Sequence, residues 1–231
     1  MHRSQIEWVK NNDGKQGFTS NPVKGECPVG CSYCYVKSFR GRYGWHKDIR
    51  FYPAELEAIR RRKKPARIFV GSTIELFHDK TIQYMPEIME TVKACPRHTI
   101  MFLTKQPQNL PKSFPKHCYV GVSITTLDLA REAITAFAQI EARIKFASYE
   151  PCYDNVPCHH ILDFIDWLII GSQTKPFRPP SINKVEEIVR AADQAGVKVF
   201  LKDNLKPLFE NLSGIPQWAY SSKSILRQEI P

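Results

Sequence analysis

Three cysteines fall within eight residues of one another, Cys27, Cys31 and Cys34, in the segment Gly25-Glu26-Cys27-Pro28-Val29-Gly30-Cys31-Ser32-Tyr33-Cys34-Tyr35. Pro28 and Gly30 break this run into a loop, so the three thiolates can wrap around one compact inorganic centre. Structural zinc takes four ligands. A fourth would have to be His46, Cys152, Cys158, His159 or His160, and no second short-spaced pair stands out. A four-iron–four-sulfur (4Fe–4S) cluster uses one thiolate per iron, so three cysteines leave one iron open. A catalytic centre needs that open position, whereas a structural centre closes it. Cys95, Cys118, Cys152 and Cys158 are scattered, and an odd total of seven does not describe a disulfide framework.

The elements that must position this loop come after it. Apolar, β-rich runs occur at 67–72 (RIFVGS), 99–104 (TIMFLT), 119–124 (YVGVSI), 143–148 (RIKFAS), 166–171 (DWLIIG) and 198–202 (KVFLK). Their apolar residues are nearly successive, as strands covered on both faces require. Between them, helical spacing predicts a helix over 129–142, with Leu129, Ala133, Ile134, Phe137 and Ile140 on one face. Ser181 is a candidate N-cap for a helix through Val185, Ile188, Val189 and Ala192, and Gly196 is placed to end it. Pro53 suits the first turn of a helix reaching about Arg62. Strands alternating with helices imply βαβ units and a parallel sheet in one α/β domain. A seventh strand over 18–23 is weakened by Pro22. The count leaves an open doubly wound sheet or a partial (β/α) barrel of six or seven parallel strands. No glycine-rich phosphate loop follows the first clear strand, which counts against nucleotide binding of the Rossmann or P-loop kind.

The C-x3-C-x2-C spacing, with Tyr33 before the last cysteine, resembles the signature of radical S-adenosylmethionine enzymes. The resemblance extends to 4–8 (SQIEW), Asn21-Pro22-Val23, 68–79 (IFVGSTIELFHD), 103–107 (LTKQP), 120–123 (VGVS), 148–151 (SYEP), 166–171 and 195–202. These segments are similar to an uncharacterised phage-associated radical-SAM-like family, itself distantly similar to spore photoproduct lyase. The resemblance implies a partial barrel, a 4Fe–4S cluster on Cys27, Cys31 and Cys34, and S-adenosylmethionine as a second cofactor. It also implies reductive cleavage to a deoxyadenosyl radical and an external electron donor such as flavodoxin or ferredoxin. By the same resemblance, Gly71-Ser72-Thr73 stands where the superfamily binds the methionyl ammonium, although Ser72 and Thr73 replace its carboxylate and leave Glu75 as the nearest acid. Ser123 is placed to meet the ribose, and Tyr33 lies near the expected adenine position. Ser72 and Thr73 could equally cap a following helix.

Independently of any family, working residues of β/α barrels sit at the carboxyl ends of strands. That rule selects Ser72, Thr73 and Glu75 after the first clear strand, then Lys105, Ser123, Glu150, Gln173, and Lys202 with Asp203. Lys105, Glu150 and Lys202 are the candidate catalytic residues, with a salt bridge among them as the structural alternative. His78 and Asp79 lie beyond the strand end, where a solvated role is equally expected.

The chain has 231 residues and a net charge of +10, with 42% hydrophobic residues, enough to build a core. No apolar run approaches the roughly 20 residues of a membrane helix, and residues 1–10 lack the apolar centre of a secretion signal, so a cytoplasmic protein is expected. The charge is uneven: residues 1–116 carry 21 Lys and Arg against 10 Asp and Glu, and residues 117–231 carry 12 against 13. An anionic partner facing the first half is the expectation. The segment 60–64 (RRRKK) suits a helix carboxyl end. The segment 39–50 (FRGRYGWHKDIR) mixes cations with Phe39, Tyr43 and Trp45, a pattern a nucleic-acid track shares with an amphipathic element packed inward. Three functions follow: a radical enzyme on nucleic acid or a nucleotide, the same chemistry on a peptide or small anionic metabolite, or a zinc-stabilised nucleic-acid-binding protein.

Overall fold

The computed structural model describes residues 1–39, 46–157, 159–210, 214, 216–221 and 225–231. Its main sheet has eight strands: β1 (His2–Arg3), β2 (Phe18–Ser20), β3 (Arg67–Val70), β4 (Thr99–Thr104), β5 (Cys118–Ser123), β6 (Ile144–Tyr149), β7 (Trp167–Ile170) and β8 (Lys198–Leu201). Their order across the sheet is their order along the chain. β1 runs antiparallel to β2, and all later neighbours are parallel. The connections carry α1 (Pro53–Arg61), α2 (Met85–Ala94), α3 (Leu127–Phe137), α4 (His159–Leu162) and α5 (Ile182–Gln194). Each crossover steps in the same direction, so crossovers of one hand place the helices on one face.

Burial follows that geometry with a period of two. Ile68, Val70, Ile100, Phe102, Val120 and Leu168 point to the helices and pack with Ile59, Ile88, Phe137 and Val185. The alternate residues Phe69, Met101, Tyr119, Phe146, Trp167 and Phe200 form a second core on the inner face around Trp8. Both faces are therefore dry, which is why the strands read as continuous apolar runs.

The inner core also curls the sheet. The Trp8 ring lies 5.1 Å from Phe69 on β3 and 6.1 Å from Trp167 on β7. In a flat sheet those strands would stand about 19 Å apart. The carboxyl-terminal segment closes the same end. Leu201 on β8 donates to Arg227 O at 2.7 Å, and within four residues Pro231 O accepts from Arg67 at 2.8 Å and Tyr119 at 3.3 Å.

The six expected strands are β3 to β8. The expected run over 18–23 is cut: β2 ends at Ser20, and past Pro22 the pair Val23–Lys24 joins Arg50–Phe51 in a separate ribbon. Ser181 caps α5 by accepting from Lys184 N at 3.2 Å, and Gly196 follows at φ +70°. Helix α3 begins earlier than expected, on the cap Thr126, and stops at Phe137 rather than Ala142. The backbone of Glu141 is engaged elsewhere, by Phe114 N at 2.9 Å and Lys112 O at 2.8 Å, so Ile140 is buried without helix. Among the described residues no helix is long and apolar enough to cross a membrane.

Gly121 has a packing reason to lack a side chain. A Cβ there would lie 2.3 Å from the ring of Phe146, which itself packs on Trp8 and Trp167. Gly121→Ala should destabilise the fold by about 1–3 kcal/mol, as overpacked cores do. Urea unfolding checks this, and Phe146→Leu in the same chain should restore part of the loss.

Candidate functional site

Continuing the inner-face alternation past the strand tips replaces apolar residues with polar ones. Leu103 leads to Lys105, Gly121 to Ser123, Phe146 to Ser148 and Glu150, and Phe200 to Lys202. These groups line one cavity of about 550 Å³ whose apolar floor includes Trp8, Phe69 and Leu103. The same cavity is lined by Cys27, Cys31, Cys34, Tyr33, Ser72 and Thr73. The ten residues named as candidate catalytic, cofactor-binding or metal-ligating groups thus line one cavity, whereas Asp203, also selected by the strand-end rule, does not.

The cysteine loop is built from tight local turns. Gly30 at φ +66° donates to Cys27 O at 3.2 Å, and Cys34 N donates to Cys31 O at 3.3 Å. All three cysteines are unbridged and half-buried. Cys27 Sγ accepts from Glu75 N at 3.4 Å. Among the described residues no group of three His, Cys, Asp or Glu is arranged to hold a single metal ion. Thiolates that each take their own iron do not need to converge on one point.

The loop after β3 is held against the cysteine loop. Tyr35 donates to Ser72 O at 2.6 Å, and Ser72 Oγ donates to Asn21 Oδ1 at 3.1 Å. Ser72 and Thr73 cap no helix, since α2 begins only at Met85. Thr73 Oγ1 is buried with no hydrogen-bond partner. Glu75 is buried, and its carboxylate accepts from Thr104 Oγ1 at 2.7 Å, Lys105 N at 2.8 Å and Phe77 N at 3.1 Å. It ties this loop to the end of β4.

Tyr33 contacts Thr125 Oγ1 through its hydroxyl at 3.0 Å and Tyr153 edge-on at 6.5 Å. Burial pushes its phenol well above the ordinary range, against the pull of the Thr125 bond. The Lys105 ammonium stands 5.9 Å from the Tyr33 ring centre. Ser123 and Ser148 are register partners on β5 and β6, both buried, and Ser148 Oγ has no hydrogen-bond partner.

On the far wall Lys202 Nζ pairs with Glu150 Oε1 at 2.9 Å. Lys105 does not join this salt bridge. Gly171 makes room for it, because a Cβ there would stand 2.9 Å from Lys202 Cδ and 3.0 Å from Glu150 Oε1. Burial works against the Lys202 ammonium, yet Glu150 and then Glu7 outweigh it and hold its pKa above the ordinary value. Glu7 accepts from Asp203 N at 2.7 Å. Burial raises its carboxyl above the ordinary value, with the Asp203 bond and Lys202 opposing.

Trp8, Glu7 and Ser148 are among the cavity residues that strand-end reasoning passed over. Ser148 lies within its strand rather than beyond it, and the amino-terminal segment carrying Glu7 and Trp8 has no periodicity. His78 and Asp79 do not line the cavity, and His78 Nδ1 accepts from Lys80 N at 3.2 Å. Gln173 does line it, accepting from Tyr153 at 2.7 Å. Cys152 is buried against the helix-side core and lines a separate pocket. Cys158 and the residues 40–45, with Tyr43 and Trp45, lie outside the described residues, as does the side chain of Phe39.

Two outcomes follow from the far wall. Lys202→Met strands a half-buried carboxylate and should cost about 1–3 kcal/mol, with Glu150→Gln in the same chain recovering part in a double-mutant unfolding cycle. For Glu7, a raised folded-state pKa stabilises the fold fully below the ordinary carboxyl value of 4.5, and that contribution fades as pH rises through the raised value. Glu7→Gln should therefore match the parent near pH 4 and gain stability over it by pH 7, measured as unfolding midpoints against pH.

Residues 3–206 match the family described as Protein of unknown function (DUF5131). No curated protein and no solved structure matches the chain. The matched span runs from β1 past β8 and contains every residue that lines the cavity. The chain belongs to this family.

Proposed function

We propose that this protein is a radical S-adenosylmethionine enzyme whose curled sheet is a partial (β/α) barrel and whose substrate is nucleic acid or a nucleotide. The carrying observation is that Cys27, Cys31 and Cys34 line the same cavity as the polar groups at the strand ends. When bound, a 4Fe–4S cluster with one open iron and S-adenosylmethionine supply reductive cleavage of the sulfonium, giving a deoxyadenosyl radical for hydrogen abstraction.

The chain's own residues divide the remaining work. The three cysteines anchor the inorganic centre, and the Glu75 N–H holds Cys27 Sγ in place. A carboxylate has about four acceptor sites, and Glu75 spends three on Thr104, Lys105 and Phe77. The remaining one, with the orphaned Thr73 hydroxyl and Ser72, suits an ammonium where the usual acid is missing. Ser123 and Ser148 offer hydroxyls to a ribose, and Tyr33 offers a ring wall to an adenine. Trp8, Phe69 and Leu103 keep water from the floor. Lys105 and the Glu150–Lys202 pair then orient the substrate, and Lys202 holds a proton at Nζ. Reduction requires an external one-electron donor of flavodoxin or ferredoxin type.

The same chemistry on a small anionic metabolite or a peptide is the second reading, favoured by Lys105, Lys175 and Lys202 lining one cavity. A zinc-stabilised binding protein would need a fourth ligand, and none of the described His, Cys, Asp or Glu residues completes such a set.

Anaerobic reconstitution with iron and sulfide should give a brown protein with about four irons per chain that releases deoxyadenosine under a strong reductant. Cys31→Ala should lose both colour and cleavage. A colourless protein with stoichiometric zinc, or full cleavage by Cys31→Ala, would overturn the proposal. An oligonucleotide that accelerates release identifies the first substrate class, and acceleration only by small anions or peptides identifies the second.

A further inference from the structure

Much of the positive charge of the first half lies away from the cavity, at the opposite end of the sheet where the parallel strands begin. Arg60 and Arg61 end α1, and Lys63 and Lys64 lead into β3. Arg97 precedes β4, Lys116 precedes β5 and Arg143 precedes β6. All but Arg97 are exposed, and Arg97 is half-buried. Backbone contacts hold these connections side by side. The Arg97 guanidinium donates to Arg62 O at 2.7 Å and Arg60 O at 2.5 Å, Thr99 N donates to Ala66 O at 3.0 Å, and Ile100 N donates to His117 O at 3.1 Å. The row crosses the starts of four adjacent strands, about 14 Å at the usual strand spacing.

Helix-dipole logic accounts for Arg60 and Arg61 at the end of α1. It does not account for Lys116 or Arg143, which stand on connections well past any α-helix end. Counter-charge is sparse. Glu57 pairs with Arg61 at 2.7 Å, and among the described residues no carboxylate is paired with Arg60, Lys63, Lys64, Arg97, Lys116 or Arg143. Glu141 is an exposed neighbour, and Asp166, whose carboxylate accepts from Lys145 N at 2.8 Å, ends the row before β7. The crowding of cations is felt by buried groups beneath: after burial itself, Arg97 lowers the pKa of His98, and Arg143 adds to the lowering at Arg67.

We propose that this row is a docking surface for the phosphate backbone of nucleic acid, distinct from the cavity. One strand of duplex DNA carries a charge per about 3.4 Å of axis, so a row of this length faces about four phosphates of one strand. Protein partners are favoured by aromatic and other apolar anchors. Among the described residues, the exposed large apolar side chains Tyr35, Ile82, Leu127 and Phe177 all stand on segments at the strands' carboxyl ends, none on this row. The six residues of β4 separate the row from the cavity by about 20 Å. The surface therefore anchors a polymer without presenting its reacting group.

The test uses the full chain without cofactors, so its outcome is independent of the radical-enzyme reading. The probes are a fluorescent 20-base-pair DNA duplex of mixed sequence and its single strand, titrated between about 50 and 200 mM salt. The proposal expects a log–log salt slope on duplex near −0.9 for each phosphate contact. Lys63→Ser, Lys64→Ser, Lys116→Ser and Arg143→Ser together should flatten that slope by about 3–4 and weaken binding at least about tenfold at 0.1 M salt. Circular dichroism confirms that the variant folds. An equal charge reduction at Arg131, Lys184, Arg190 and Lys206 should leave the slope in place. No salt-dependent binding, an unchanged slope in the first variant, an equal loss in the second, or preference for polyglutamate over DNA would each overturn the proposal.

Discussion

A parallel sheet buried on both faces must find something to fill its inner side, and here that is Trp8. Its ring touches aromatic residues from strands that a flat sheet would hold far apart. The inner side chains Phe69, Phe146 and Trp167 can reach it only if the sheet curls, and Gly121 gives up its side chain so that Phe146 can lie flat across the layer. The carboxyl-terminal segment completes the arrangement by bonding to Arg67, Tyr119 and Trp167 beneath. The cavity above depends on this packed layer, because it sets how closely the strand tips approach one another.

Polar chemistry then appears one step along each strand, at the first inward position that the aromatic layer no longer fills. The walls differ in character. The wall near the cysteines is organised by Glu75, a buried carboxylate that holds a backbone N–H, a hydroxyl and the start of the Lys105 turn. The opposite wall is organised by the Glu150–Lys202 pair and by Glu7 from the amino-terminal segment. Thr73, on the loop after β3, and Ser148, on β6, carry buried hydroxyls without partners. The cavity thus has one thiol-rich wall, one ion-paired wall and an apolar floor.

The two ends of the sheet carry opposite kinds of surface. Among the described residues, large exposed apolar side chains gather on segments around the mouth, and cations that mostly lack a paired carboxylate gather where the strands begin. Parallel topology makes this separation possible, since the tips of β2 to β8 face one way and the αβ connections return to the other.

The cysteine spacing and the six main strands were legible in the sequence, because loop-local spacing and double-sided burial leave direct marks on residue order. Lys105, Ser123, Glu150 and Lys202 were legible for a related reason: each ends or follows an apolar run, and the carboxyl ends of parallel strands face one mouth. Glu7 and Trp8 were not, since an irregular segment carries no period and their roles arise from strands distant in the chain. The end of α3 was also hidden, because the Lys112–Phe114 segment competes for the backbone of Glu141. Sequence by itself determined the alternation, the α/β class and the local thiol loop, all of which depend on neighbours within a few residues. Only the tertiary structure decided that the sheet curls, that ten candidate residues share one cavity, and that cations from four connections align, because each depends on contacts between segments the chain holds far apart.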